Sequence, residues 1–133
     1  MQPDLRSHLA LLERHGKLVR VPRPVDPGTE LAALIIEAER RRQAILFESV
    51  RGSAMPCVAN VAGDRAMLGL ALGVSAEETV AAFLERSRRR IPPVVGDEAP
   101  VQEVVHTGDV VDLRQLPLIV HADKDHARSP ARR

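Results

Sequence analysis

A chain of 133 residues, 44% hydrophobic and 28% charged, holds enough apolar side chain for one buried core, which excludes disorder throughout. Lys and Arg number 19 against 18 Asp and Glu, a formal charge of +1, so no overall field directs the chain to nucleic acid or anionic lipid. The single cysteine excludes an internal disulfide, and two Phe with no Trp or Tyr leave almost no aromatic surface for stacking on bases or flavin rings.

Asp4 is placed to cap a first helix carrying Leu5, Leu9 and Leu12 at helical spacing, with Gly16 closing it. Lys17–Val21 alternates as a half-buried strand, ended by Pro22 and Pro24. Asp26-Pro27 signals a helix start, a capping carboxylate before proline. The helix it opens sets Leu31, Leu34, Ile35 and Ala38 on one face and ends in Glu39-Arg40-Arg41-Arg42. Ala44–Phe47 is a short apolar strand, with a turn at Arg51-Gly52-Ser53. Cys57–Val61 is a further strand, ended by Gly63.

A helix follows around Arg65–Leu72, stopping at Gly73. Ser75-Ala76-Glu77-Glu78 has the form of a capping box, and the helix after it is expected to turn Val80, Phe83 and Leu84 inward. Leu9, Leu34, Ile45 and Phe83 are expected in one core. Arg86, Arg88, Arg89 and Arg90 crowd the end of that helix, where cations suit the dipole, and Ile91-Pro92-Pro93 terminates it. Val101–His106 reads as a strand, Thr107-Gly108-Asp109 as a turn and Val110-Val111 as its return. Asp112 starts a short turn, Pro117 breaks it, and Leu118-Ile119-Val120 is strand-like. Strands interleaved with three or four helices and short connections predict an α/β (α+β) fold, a small mixed sheet with helices packed on it. No run is long enough to span a membrane, and the N-terminus lacks the order of a secretory signal, so a cytoplasmic protein is expected.

Chemistry-bearing residues are sparse. His121, Asp123, Asp125 and His126 carry the ligand types for a divalent metal, but no downstream scaffold follows to hold them, and the stretch reads as a solvated tail. Cys57, inside an apolar stretch, reads as a small buried hydrophobe rather than a nucleophile. The Arg40–Arg42 and Arg88–Arg90 runs could contact phosphates, yet both sit at helix ends and read as solvated. Gly63, Gly69 and Gly73 match neither the dinucleotide nor the Walker fingerprint. His8 and His15 have no ligand partner nearby and read as surface or satisfied residues. No Ser/His/Asp or Cys/His set stands out.

Several stretches together resemble the N-terminal domain of the UbiD-type decarboxylases. Asp4-Leu5-Arg6 through Glu13 and Gly16–Val21 resemble that family's opening helix and strand. Val25-Asp26-Pro27 with Glu30–Ile35 is similar to its second helix, and Leu46–Gly52 to its "FENVKG" turn. Pro56–Asn60, Gly63-Asp64-Arg65 and Leu70–Gly73 follow its next strand, turn and helix. Gln102–Val105, Thr107-Gly108-Asp109, Val111-Asp112-Leu113, Leu116-Pro117 and His121 resemble the run leading out of the domain. Number, order and spacing carry the likeness, which extends from residue 4 to about 125.

The resemblance implies reversible decarboxylation of aromatic or α,β-unsaturated acids, for example polyprenyl-hydroxybenzoate, with prenylated FMN as electron sink and a carboxylic acid returning the proton. It also implies a split β-barrel carrying the flavin, a divalent metal holding its phosphate, K+ as a candidate further ion, and an Arg/Glu/Glu catalytic set. None of these protein groups maps onto a residue here, so no catalytic, cofactor-binding or metal residue is assigned, and no cofactor is expected in this chain. Glu48 and Asp112 match family positions read as structural, Glu48 at a turn or surface and Asp112 as a cap. After Asp125 the sequence departs from the family pattern where the barrel begins. The expectation is an N-terminal domain over residues 1–121, a flexible tail over residues 122–133, and a partner in the remaining decarboxylase domain or subunit, or a homo-oligomer. Such a chain is a scaffold within a carboxy-lyase or, alternatively, a stand-alone non-catalytic module that binds another subunit.

Overall fold

A computed structural model describes residues 4–96 and 99–120. Helix α1 (Leu5–Arg14) begins where Asp4 and Ser7 cap one another: the Ser7 amide donates to Asp4 Oδ1 at 2.7 Å and the Asp4 amide to Ser7 Oγ at 3.1 Å. Gly16 leaves the helix at φ +65°, the left-handed region that glycine enters without steric cost. Strand β1 (Leu18–Val21), helix α2 (Leu31–Arg40) and strand β2 (Ala44–Phe47) form a βαβ unit with parallel strands, Leu18 level with Ala44 and Val21 with Phe47. Strand β3 (Cys57–Ala59) returns antiparallel on the far side of β2, completing a mixed sheet of order β1-β2-β3.

The start of α2 differs from the sequence expectation. Asp26 caps a turn, accepting from the amides of Gly28 and Thr29 at 2.8 and 3.0 Å, and the regular helix begins only at Leu31. Glu30 reaches back to the Asp26 amide at 2.9 Å, so the local capping chemistry is present one turn before the helix proper. Helix α3 (Arg65–Leu72) is capped by Asp64, which accepts from the Met67 amide at 2.8 Å, and ends at left-handed Gly73. Helix α4 (Thr79–Arg88) follows a reciprocal Ser75–Glu78 box.

Because side chains alternate along a strand, the sheet feeds two clusters. Val19, Val21, Ile45, Phe47, Cys57 and Ala59 face α2 and join Leu31, Ile35 and Ala38. Leu18 and Ala44 face the other way and join Leu9 and Leu12 of α1 with Met67 and Leu70 of α3. The result is a mixed α+β fold with helices on both faces of a three-stranded sheet, as the pattern of elements predicts. Asn60, at φ +59°, ends β3 early and donates from Nδ2 to the Ile35 carbonyl at 3.1 Å, tying that strand end to α2.

Three expectations are corrected. The core is split: Leu34 and Ile45 belong to the α2 side, Leu9 to the α1 side, and Phe83 to neither, being 61% exposed. Val80 and Leu84 are exposed as well; α4 meets α3 through Thr79 and Arg86, which leaves its apolar stripe uncovered among the described residues. Val101–His106 and Val110-Val111 are not strands. They hold short 3-10 turns at Pro100–Gln102 and Gly108–Val110, and no described strand lies beside them to complete a ladder. Leu118–Val120 is half-buried but joins no sheet; the Val120 amide donates to the Pro27 carbonyl at 3.3 Å and Ile119 packs on the α2 cluster.

Candidate functional site

The α1 side of the sheet carries an open groove. Its floor is Leu46 and Pro56, its wall Arg6 and Leu9, and it consists of two adjoining hollows of about 340 and 430 Å³. Cys57 and Val58 lie at one end, Arg20 and Glu48 at the other. The groove exists because Arg20, Leu46 and Val58 share a strand face, while α1 leaves that end of the sheet open to reach α3.

Arg20 organises the polar end. Its Nε and Nη2 grip both oxygens of Glu13 at 2.6 and 3.1 Å, and Nη1 donates to Glu48 Oε1 at 2.9 Å. The fork geometry holds the Glu13 carboxyl below its ordinary range, first through the hydrogen bonds from Arg20. Glu48 is thus a surface residue, as expected, but also an ion-pair partner linking the end of β2 to β1 and, through Arg20, to α1. Sequence reading missed this set because its members come from three elements.

Other candidates fall into place individually. Burial pushes the Cys57 thiol up, away from a nucleophile's range, and Cys57 packs against the α2 cluster. His8 is half-buried and satisfied, its Nε2–H donating to the Val61 carbonyl at 2.9 Å. His15 is an exposed cap residue of α1. Both Arg runs end helices: Arg40 and Arg41 pair with Glu37, and Arg89 with Glu85. Asp112 precedes a 3-10 turn at Leu113–Gln115, its carbonyl accepting from the Gln115 amide at 3.2 Å. His121, Asp123, Asp125 and His126, with the boundary at residue 121 and the tail, lie outside the described residues.

Tested against a flavin held by a metal-bound phosphate, the described residues do not fit. No group of three His, Cys, Asp or Glu among them is placed to hold a metal ion. The amides at the start of α1, the helix end nearest the groove, are turned to Asp4 and its carboxylate, which repels a phosphate. No helix among the described residues is long and apolar enough to cross a membrane.

Groove, split core and capped helices together define a small α+β domain. The chain belongs to the UbiD family: residues 9–87 match the 3-octaprenyl-4-hydroxybenzoate carboxy-lyase N-terminal domain. Among solved structures it is similar to the UbiD-class enzyme HmfF from Pelotomaculum thermopropionicum in complex with FMN, at 37% identity and a TM-score of 0.79 over 89% of this chain and 27% of that one. It is similar to vanillic acid decarboxylase of Sedimentibacter hydroxybenzoicus in open form, at 33% identity and a TM-score of 0.77 over 90% of this chain and 28% of that one. The 3,4-dihydroxybenzoic acid decarboxylase of Enterobacter cloacae follows at 29% identity and a TM-score of 0.76, over 89% and 27%. The chain therefore spans a little over a quarter of the length of these enzymes.

Proposed function

We propose that this chain supplies the N-terminal scaffold of a UbiD-type carboxy-lyase acting in the cytoplasm on an aromatic carboxylic acid with prenylated FMN. In this reading residues 1–121 form the supporting body, and the flavin, its divalent metal and any K+ are held by a catalytic domain or subunit beyond it. Vanillic acid and 3,4-dihydroxybenzoic acid decarboxylases among the similar structures support the aromatic class of substrate.

The observation that carries the reading is the segment after α4. Ile91, Val94 and Val95 are each more than 90% exposed, and Val101, Val104 and Val105 are exposed beyond them. The segment then returns to the body, where Ser53 Oγ donates to the Gln115 carbonyl at 2.7 Å and Ile119 meets the α2 cluster. An apolar arm anchored on the body and unpacked along its length is suited to lie against another body. The structural matches extend over 89% of the chain, more than the residues before the arm can supply, so at least part of the arm follows a course shared with enzymes a little over three times as long.

Purification of the chain from cells that make prenylated FMN tests the reading. The expected result is a preparation with no flavin band in the visible spectrum and no decarboxylase activity. A stoichiometric flavin band would overturn it.

A further inference from the structure

Beyond α4 the chain leaves the body and comes back. From Ile91 to Val111 it hydrogen-bonds only within its own turns among the described residues, as from the Gln102 amide to the Ala99 carbonyl at 2.9 Å and from the Val111 amide to the Gly108 carbonyl at 3.2 Å. Leu113–Val120 then returns, with Pro117–Val120 half-buried. Three contacts fix this segment. Ser53 Oγ donates to the Gln115 carbonyl at 2.7 Å, Ile119 packs on the α2 cluster, and the Val120 amide donates to the Pro27 carbonyl at 3.3 Å.

The surface that receives the segment is held together without it. The loops that follow β1 and β2 are tied to each other: the Val25 amide donates to the Ser49 carbonyl at 3.2 Å and the Arg51 amide to the Val25 carbonyl at 2.9 Å. Val25 and Val50 are both buried in the α2 cluster. Pro27 belongs to the first loop and Ser53 to the second, so the returning segment spans both. Ser53 also closes its own turn, its amide donating to the Val50 carbonyl at 3.1 Å and its Oγ accepting from the Met55 amide at 3.1 Å. The body thus fixes the Ser53 hydroxyl in place and leaves its proton for Gln115.

Segment and surface differ in what they lose on parting. The joined loops keep their own hydrogen bonds, whereas the segment keeps only short-range ones, such as Leu116 to Leu113 at 3.1 Å and Leu118 to Leu116 at 2.9 Å. Three contacts only narrowly offset the entropy of ordering such a stretch. We propose that Leu113–Val120 is a strap that opens and closes as a unit on a body that stays folded, with Ser53 as its latch. Closed, it fixes the chain beside Pro27; open, it leaves the chain held at the end of α4. What the strap would position in a longer protein rests on the scaffold reading. The opening itself does not, because thiol reactivity decides it and flavin binding decides the other.

Alkylation by iodoacetamide of the 133-residue chain carrying Ile119→Cys is the test. Val95→Cys serves as the exposed reference, and peptide mass spectrometry separates each new thiol from Cys57. The thiol at position 119 should react more slowly than the one at position 95. Its rate should barely change in urea below the unfolding transition, since opening the strap exposes little surface. Adding Ser53→Ala should raise that rate about fivefold, the effect of one lost hydrogen bond. Ser53→Thr, which keeps the hydroxyl, should leave it unchanged. A rate equal to that at position 95, or one that climbs with urea as steeply as global unfolding, would overturn the proposal. So would a rate that Ser53→Ala leaves unmoved.

Discussion

Gly69 of α3 lies directly under Thr79 of α4: a Cβ built at position 69 would sit 2.9 Å from Thr79 Oγ1 and 2.8 Å from the Val74 carbonyl oxygen. Thr79 is the buried polar residue of α4, and its hydroxyl bridges the chain at the carbonyls of Arg65 and Ser75, at 3.1 and 2.9 Å. The two helices meet here because one offers no side chain and the other offers a short, hydrogen-bonded one. Gly69→Ala should therefore separate them. The gain in helix propensity is under about 1 kcal/mol, whereas forcing a methyl group against backbone costs about 1–3 kcal/mol. Urea unfolding should show a lower midpoint for the variant; an equal or higher one would mean that α4 moves aside freely.

The two phenylalanines should behave in opposite ways. Phe47 is fully buried in the α2 cluster, and Phe47→Ala should cost about 3–5 kcal/mol. Phe83 is mostly exposed, and Phe83→Ala measured on dilute protein should stay within about 0.5 kcal/mol of wild type. Thermal melts at low concentration separate the cases. A large loss at Phe83 would place α4 against the core after all.

Asp64 gives the fold an acid sensitivity. Burial raises its pKa, but the hydrogen bond from the Met67 amide and the pairing with Lys17 at 3.4 Å outweigh that, and the net shift is downward from 3.8. A carboxylate held below its unfolded value stabilises the fold above that value, and the contribution fades as pH falls through the folded one. Stability should thus drop below about pH 4 in the wild type. Asp64→Asn should be less stable at neutral pH and respond less to acid. Denaturation midpoints between pH 2 and 7 (a range set by the ordinary carboxylate pKa) would expose parallel curves if Asp64 has no part in this.

Arg20 governs the titration of Glu13. With the guanidinium removed in Arg20→Met, the Glu13 carboxyl should titrate closer to its ordinary value of 4.5. Carbon-13 NMR of the side-chain carboxyl reads this directly, and an unmoved midpoint would show that the fork is not held in solution.

What was legible in the sequence was mostly local. Asp4 and the Ser75–Glu78 pair announce helix starts because a cap is complete within four residues, and Gly16 and Gly73 announce ends for the same reason. Asp26 has the same chemistry but serves a turn, and nothing short-range distinguishes one use from the other. Phe83 shows where this reasoning stops. Helical spacing establishes that a stripe exists but not what lies over it. Val101–His106 fails similarly, because a strand is a pairing and the chain supplies no neighbour there among the described residues. The Arg20–Glu13–Glu48 set joins residues distant in sequence, and only the parallel register of β1 on β2 brings them together. Family membership was legible because it rests on the order of many weak motifs rather than on any one residue.

Strand β2 contributes Ala44 to one cluster and Ile45 and Phe47 to the other, and it is hydrogen-bonded on both edges. Neither layer of helices can lift away without baring one side of it. Its amides should therefore exchange with solvent deuterium only when the whole molecule opens, while those of α4 exchange through separate, smaller fluctuations. The four residues of β2 would report the global free energy of unfolding, and would serve as its internal gauge in any variant.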